Sequence, residues 1–239
     1  MPFLSIVIPA YNEERRLPVT LAAIKKYLNS QPYDAEVLVI DDGSTDKTLQ
    51  VADSLTAGFP NLRIVSNTQN KGKGGVVRQG MLLAAGEYRL FADADNSTPI
   101  EQLDILLKCV PEYEVVIGSR YLAKGSIKVK QPLARRLVSR GGNLAIQSLL
   151  LPGIRDTQCG FKLFSAAAAQ AIFSRQTLTG WAFDLEILTI ALAQGYKVHE
   201  VPVAWYDDKE SNLRATRDSA KFFKGLLEVR RRRQAGAYR

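Results

Sequence analysis

Two aspartates separated by one small residue stand directly after an apolar stretch of this chain. The stretch Tyr88–Ala92 predicts a short buried strand, and Asp93 and Asp95 follow it immediately. Ligands of open α/β sheets bind outside the carboxyl ends of the strands, so both carboxylates are placed where a substrate would lie. Hard oxygen donors of this kind suit Mg²⁺ or Mn²⁺ shared with a substrate phosphate. A polar strand end that caps a helix beginning near Pro99 is the alternative interpretation.

A glycine-rich basic loop is a second feature that could bind an anion. Residues 71–75 read Lys-Gly-Lys-Gly-Gly and precede a predicted helix that contains Val76, Val77 and Met81. Backbone N–H groups at such a helix start, together with the lysine charges, attract phosphate. The loop matches neither the P-loop nor the dinucleotide-binding fingerprint, so a solvated turn is the alternative.

Strand and helix patterns alternate through residue 118 and would hold these residues at one edge of a sheet. This alternation predicts an α/β fold with a mostly parallel sheet and helices on both faces, in a single domain over residues 1–239. The predicted strands are 4–9, 36–40, 62–65, 88–92 and 114–117, and the predicted helices are 18–29, a helix to about 57 capped by Ser44 or Thr45, the helix after residue 75, and 100–110.

The pattern changes after residue 118. A basic loop at 120–131 precedes a helical stretch at 132–151, which Gly141 and Gly142 would weaken or split. A helix at 183–193 carries Asp184 and Glu186, and a final strand is predicted at 198–204.

The segment from about residue 216 to 233 predicts an amphipathic basic helix. Its apolar face is formed by Phe222, Phe223, Leu226 and Leu227, and a run of arginines occupies 230–233. Leucine and aromatic residues flanked by arginine and lysine are typical of a helix that lies on an anionic membrane surface. A last helix packed on the domain is the alternative.

Composition narrows the classes of function. The 239 residues carry a formal net charge of +8, which indicates an anionic partner. Cys109 and Cys159 lack metal-ligand spacing, and His199 is the only histidine, so a disulfide framework, a zinc site and a Ser-His-Asp hydrolase are disfavoured. We predict no signal peptide, no membrane span and no nucleic-acid partner, since the aromatic residues are scattered through apolar runs.

Eight segments taken in order resemble the family 2 inverting glycosyltransferases. They are most like the branch of dolichyl-phosphate β-glucosyltransferases and polyprenyl-phosphate mannosyltransferases, and the resemblance covers nearly the whole chain. Each segment is weak alone, whereas the ordered set is specific. The segments are SIVIPAYNEE, VIDDGSTDKT, NKGKGGVVRQGM, FADADNST, IGSRY, DTQCGFKLF, WAFDLEIL and VPVAWYDD.

The resemblance implies a GT-A fold and transfer of a hexose, with inversion, from a nucleotide-diphosphate sugar such as UDP-glucose to a polyprenyl (dolichyl or undecaprenyl) phosphate. It also implies Mg²⁺ or Mn²⁺ and a peripheral position at the cytoplasmic face of the cell membrane. Residues 1–118 would then bind the nucleotide sugar, 119–210 the acceptor, and 211–239 the membrane surface. Self-association is left open.

The resemblance also assigns roles residue by residue. Asp184 would face the reacting sugar, either to stabilise an oxocarbenium-like state or, for a hydroxyl acceptor, as general base. Ser97 stands where mannosyltransferases of the branch often have a glutamine metal ligand. By this resemblance Pro9, Tyr11, Glu13 and Asp42 hold the nucleoside, Lys73, Arg78 and Asp93 the diphosphate and sugar, Asp95 the metal, and Arg120, Arg135, Arg136 and Arg214 the acceptor phosphate, with Asp184, Asp95 and Arg120 as the catalytic set.

Other functions remain as alternatives at this stage. A saccharide hydroxyl could replace the lipid phosphate as acceptor, or GDP-mannose could replace the UDP-sugar as donor. A nucleotidyltransferase would also use an α/β sheet with acidic metal sites. A basic protein that binds nucleic acid or lipid without catalysis is the least favoured alternative.

Overall fold

The computed structural model describes residues 1–123, 125–127, 133–206 and 215–239, with the side chains of 133–140 and 215–220 left out. Within these residues a seven-stranded sheet carries helices on both faces. The strands are β1 (Leu4–Ala10), β2 (Ala35–Asp41), β3 (Leu62–Ser66), β4 (Tyr88–Ala92), β5 (Val115–Ser119), β6 (Phe161–Ser165) and β7 (Val198–Pro202). The helices are α1 (Leu17–Leu28), α2 (Thr48–Thr56), α3 (Lys73–Leu83), α4 (Leu103–Leu107, preceded by a 3₁₀ turn at Ile100–Gln102), α5 (Leu133–Leu149), α6 (Ala166–Arg175), α7 (Phe183–Ala193) and α8 (Ala215–Gln234).

The strand order is β3-β2-β1-β4-β6-β5-β7, and the sheet is mostly parallel as predicted. The exception is β6, which runs antiparallel to both of its neighbours, β4 and β5. Sequence patterns predicted neither β6 nor the α6 helix that follows it. Because β6 runs the other way, the residues before it lie at the edge where the parallel strands end.

Both faces of the sheet are buried, which explains why the strands are continuous apolar runs. Val7 of β1 packs with α3, α6 and α7 on one face, whereas Ile6 and Ile8 pack with α1 and α4 on the other. The alternation fixes the register of β1, because a slip by one residue would exchange the two faces. The ends of β1, β2 and β4 are therefore held rigidly side by side.

Three predicted details of the helices differ from the structure. The α2 helix begins at Thr48 rather than after Ser44 or Thr45, because the Ser44 hydroxyl donates to Asp41 and the Thr45 hydroxyl to Asn12. The α5 helix runs through Gly141 and Gly142 without a break. The helix predicted at 100–110 is shorter and ends at Leu107.

The α8 helix packs on the domain through part of its apolar face, and its contact with a membrane stays a prediction. Leu226 and Val229 are buried against the domain, whereas Phe223 and Leu227 are exposed. None of the described helices is both long enough and apolar enough to cross a membrane.

Candidate active site

Polar residues from three neighbouring strands meet at the carboxyl edge of the sheet. β1 is followed by Asn12 and Glu13, β2 ends in Asp41 and Asp42, and β4 is followed by Asp93. The loops are tied together, since the Asn12 N–H donates to the Ser44 hydroxyl at 2.9 Å. The fold thus creates one acidic edge from segments that lie far apart in the sequence.

Lys73 and Asp93 form an ion pair across this edge. Nζ of Lys73, the first residue of α3, lies 2.7 Å from Oδ1 of Asp93. The same ammonium lies 5.6 Å from the ring centre of Phe91 and 5.1 Å from that of Trp181. Burial alone would lower the pKa of Lys73, but the carboxylates of Asp93 and Asp184 raise it above its ordinary value. Lys73 is therefore a firmly protonated cation beside the aspartates.

Asp95 is held by a tight turn after β4. Its Oδ1 accepts the Ser97 N–H at 2.9 Å, and Asn96 between them has a left-handed φ of 53°. Burial raises the pKa of Asp95, and the neighbouring charge of Asp93 raises it further. A cation placed against this carboxylate would relieve that repulsion.

A second lysine–aspartate pair lies deeper in the fold. Nζ of Lys162, in the middle of β6, donates to Oδ1 of Asp184 at 2.6 Å and to the carbonyl of Cys159. Asp184 belongs to the first turn of α7 and is buried, and Lys162 is fully buried. Burial raises the pKa of Asp184, while Lys162 and then Lys73 oppose the rise. Positively and negatively charged side chains therefore alternate across the site.

Gly160, just before β6, allows Asp93 to lie where it does. The Asp93 N–H donates to the Gly160 carbonyl at 3.1 Å. A Cβ at residue 160 would overlap the Asp93 carboxylate, so any larger residue there would displace that carboxylate. The antiparallel β6 strand thus contributes backbone, as well as Lys162, to the site.

The four residues predicted for the nucleoside lie on the same edge. Pro9 is buried in β1, whereas Tyr11 in the loop after it is exposed. Glu13 pairs with Arg16 at 2.6 Å, and burial raises its pKa, with Asp95 and Asp93 adding to the rise. This electrostatic contact places Glu13 on the side of the aspartates.

Asp42 fixes the glycine-rich loop. Its carboxylate accepts the Lys71 N–H at 2.6 Å and the Gly72 N–H at 3.0 Å. Gly72, the residue before α3, has a left-handed φ of 79°. The role of Asp42 in holding the nucleoside stays a prediction, and the structure adds that this carboxylate fixes the loop before Lys73.

Arg120 is held by a buried partner. Its Nε and Nη2 donate to the two carboxylate oxygens of Asp156 at 2.7 and 2.8 Å. Although burial alone would raise the pKa of Asp156, Arg120 holds it below its usual value. The guanidinium also lies 5.4 Å from the ring centre of Trp205. Part of its charge is thus balanced before any acceptor binds.

Among the remaining predicted arginines, Arg78 has a described side chain. Nε of Arg78 donates to the Phe173 carbonyl at the end of α6, at 2.8 Å. The side chains of Arg135 and Arg136, and the whole of Arg214, lie outside the described residues. Their predicted roles stay predictions.

The donor set fits a divalent cation that is shared with a phosphate ligand. In the part of the chain that the structure describes, no three His, Cys, Asp or Glu side chains converge as a complete cage. Mg²⁺ bound together with substrate phosphates takes only one or two protein carboxylates. Asp95, with Asp93 beside it, meets that requirement.

Sequence reasoning did not assign three residues that shape the site: Gly160, Lys162 and Asp156. Lys162 did leave a signal, because a single charge inside the apolar run Phe161–Phe164 indicates a buried ion pair. Asp156 and Gly160 left none that could be read without knowing the direction of β6.

A family model described as Glycosyl transferase family 2 matches residues 5–173. The dolichyl-phosphate beta-glucosyltransferase of Saccharomyces cerevisiae is 34% identical over 99% of this chain and 77% of its own length. The human protein of the same name is 37% identical, again over 99% of this chain and 77% of its own length.

Solved structures resemble the fold at lower identity. Glucosyl-3-phosphoglycerate synthase of M. tuberculosis aligns with a TM-score of 0.69 at 20% identity, over 95% of this chain and 80% of its own. Mannosyl-3-phosphoglycerate synthase of Rubrobacter xylanophilus aligns with a TM-score of 0.70 at 19% identity, over 99% of this chain and 76% of its own. These likenesses concern the fold, which is of the predicted GT-A type. With the family model covering most of its length, the chain belongs to glycosyltransferase family 2.

Proposed function

We propose that this glycosyltransferase moves glucose from UDP-glucose to the phosphate of a polyprenyl lipid such as dolichyl phosphate, with inversion at the anomeric carbon. The relatives named for dolichyl phosphate align with almost the entire chain. The observation that carries the proposal is the alternation of Asp93, Lys73, Asp184 and Lys162 at the edge where a sugar diphosphate would lie.

The donor would lie along the acidic edge with its diphosphate toward α3. The helix begins at Lys73, directly after Gly72, and the lysine charge and the positive end of the helix dipole favour phosphate. The nucleoside would lie toward Pro9, Tyr11, Glu13 and Asp42, at the ends of β1 and β2. Arg78 would attract the diphosphate only through its longer-range charge, because its Nε already donates to the Phe173 carbonyl.

Asp95 would hold a divalent metal, with Asp93 on its other side facing the sugar or ribose. When bound, such an ion withdraws electron density from the leaving diphosphate. A solved neighbour, glucosyl-3-phosphoglycerate synthase, was crystallised with Mn²⁺ and UDP-glucose, which makes Mn²⁺ the first metal to test.

The protein's own residues would divide the charge that develops. Lys73, a protonated cation, would stabilise the negative charge that accumulates on the diphosphate. The anomeric carbon becomes oxocarbenium-like, and Asp184 provides a fixed negative charge for it. A phosphate acceptor is ionised at neutral pH, so the reaction needs no proton removal by Asp184.

The acceptor phosphate would approach through Arg120, with Arg135, Arg136 and Arg214 as further cations. Arg120 keeps N–H groups that Asp156 does not use, and arginine suits phosphate because its N–H groups form a planar fork. We further propose that the enzyme works peripherally at the inner face of the membrane, with Phe223 and Leu227 of α8 toward the lipid.

The test is a transfer assay with purified protein, Mn²⁺, radiolabelled UDP-glucose and dolichyl or undecaprenyl phosphate. We expect label in the organic extract, and less of it with GDP-mannose. Transfer of label to a soluble saccharide instead would show that the acceptor is a saccharide hydroxyl and not a lipid phosphate. Pyrophosphate release from glucose 1-phosphate and UTP would point to a nucleotidyltransferase, and no transfer from any common donor would overturn the proposal.

A further inference from the structure

Glu186 is a fully buried carboxylate that the proposed chemistry does not use. It lies on α7, two residues after Asp184, and binds two segments that are distant in sequence. One is the loop that follows α6. The other is the end of α8 and the turn after it. A buried carboxylate is stable only when its partners satisfy its hydrogen-bonding capacity, so these two segments must hold Glu186 and be held by it.

The loop after α6 is fastened to Glu186 by its backbone. Oε2 of Glu186 accepts the Thr177 N–H at 2.9 Å and the Leu178 N–H at 2.7 Å, while Oε1 accepts the Thr177 hydroxyl at 2.7 Å. Charge-assisted bonds of this kind are stronger than bonds between neutral groups. The conformation of residues 177–178 therefore depends on this carboxylate.

The same loop holds the start of α3. The Gly74 N–H donates to the Thr179 carbonyl at 2.8 Å, and Nε2 of Gln176 donates to the Gly74 carbonyl at 2.8 Å. A Cβ at Gly72 or Gly74 would collide with backbone atoms of residues 178–179. The glycine-rich loop thus packs on residues 176–179 with no space for adjustment, and Lys73 lies between its two glycines.

The α8 side of Glu186 is closed by Tyr238 and Arg232. The buried Tyr238 hydroxyl donates to Oε1 of Glu186 at 3.0 Å. Nη1 of Arg232 lies 3.6 Å from the same oxygen and also donates to the Thr177 hydroxyl. Gln194 fixes the backbone of Tyr238 through a bond to its carbonyl at 2.5 Å. The end of α8 and the loop therefore share one carboxylate.

We propose that Glu186 is a positioning residue for the donor site: it sets the loop that orients Gly72–Gly74 and Lys73, and Arg232 and Tyr238 make that setting depend on how α8 is seated. This inference rests on the proposed function, because it identifies the affected ligand as the nucleotide sugar. Its effect is confined to donor binding and leaves the acceptor untouched.

The first measurement is calorimetric titration of the full chain with UDP-glucose and Mn²⁺. Glu186→Gln keeps shape but faces Arg232 with an amide N–H₂, so we expect donor affinity to fall about tenfold, the loss of one charge-assisted bond. Tyr238→Phe and Arg232→Gln should each lower it by about threefold, since a smaller part of the contact is lost. Arg231→Gln, which removes the same charge from the exposed neighbouring position, should bind like the unchanged protein.

The second measurement separates positioning from plain stability. Amide hydrogen exchange without ligand should quicken at Gly74 in the Glu186 and Tyr238 variants, and the KM for the donor should rise while the KM for lipid phosphate stays the same. Variants that lose thermal stability but keep donor KM and Gly74 protection would overturn the inference. If the unchanged protein bound no UDP-glucose, the proposed function would fail. Faster Gly74 exchange in the variants would still show that Glu186 controls the loop that holds Gly74.

Discussion

The two lysine–aspartate pairs of the site differ in how far water reaches them. The side chains of Lys73 and Asp93 are 23% and 28% exposed, whereas those of Lys162 and Asp184 are 0% and 6% exposed. An open pair can exchange one partner for a metal ion or a phosphate at modest cost. A closed pair that loses one partner leaves an uncompensated charge in the interior. Exposure therefore separates a pair that water reaches from a pair that the fold encloses.

The largest effect should come from the open side of the comparison. Asp95→Asn removes the carboxylate best placed for a metal, and we expect the rate of transfer to fall about a thousandfold. The fold should be unaffected, because the amide oxygen of an asparagine can still accept the Ser97 N–H. The assay is radiolabel transfer with Mn²⁺ beside a thermal melt, with the exposed Asp53→Asn as control. Near-normal activity would show that Asp95 is not the metal ligand.

Replacing each lysine by methionine tests the difference in burial directly. Lys162→Met should lower the free energy of unfolding by about 3 kcal/mol, because Asp184 is left buried and unpaired. Lys73→Met should cost less than about 1 kcal/mol, since water reaches Asp93, although transfer should still drop sharply. Urea denaturation of both variants gives the comparison.

A double variant sharpens the result for the closed pair. Adding Asp184→Asn to Lys162→Met removes the stranded charge, so part of the lost stability should return. Equal losses for Lys73→Met and Lys162→Met would show that burial does not distinguish the two pairs.

Gly160→Ala tests the backbone that supports the open pair. The new Cβ would overlap the Asp93 carboxylate and push it from Lys73, so we expect a fall in transfer, with a loss of less than about 1 kcal/mol in stability because the carboxylate can shift toward water. Gly180→Ala is the matched control, since a Cβ there would meet no atom within 4 Å. If both variants behave alike in unfolding and transfer assays, the close approach is unimportant.

The α8 helix also has buried and exposed apolar side chains, and we expect the smallest effect from changing an exposed one. Phe223→Ala removes an exposed ring from the proposed lipid face, and binding to vesicles that contain anionic lipid should weaken about fivefold. The exposed Val19→Ala on α1 should leave binding unchanged. Co-sedimentation with vesicles measures both, and unchanged binding of Phe223→Ala would remove α8 from the membrane contact.

The regular part of the fold was predictable because its signals are local. The alternation of strands and helices up to residue 118, and the Asp93 and Asp95 positions after β4, followed from apolar runs and polar strand ends. The helix at Phe183–Ala193 was also predicted within its observed limits. These features depend on neighbours in the sequence.

The rest depends on contacts that single segments do not encode. β6 is five residues long, and its insertion against β4 in the opposite direction follows from tertiary packing alone. The partnership of Lys162 with Asp184, and of Arg120 with Asp156, joins residues 22 and 36 positions apart. The Ser44 and Thr45 hydroxyls failed as helix caps because partners from other loops had taken them.

Asp156 and Gly160 lie four positions apart on the segment that enters β6. The first grips Arg120, and the second abuts Asp93. If Arg120 binds the acceptor and Asp93 the donor, as proposed, this short piece of chain sets the distance between the two substrates. We expect an insertion or deletion at 157–159 to misalign the two reactants even if each still binds.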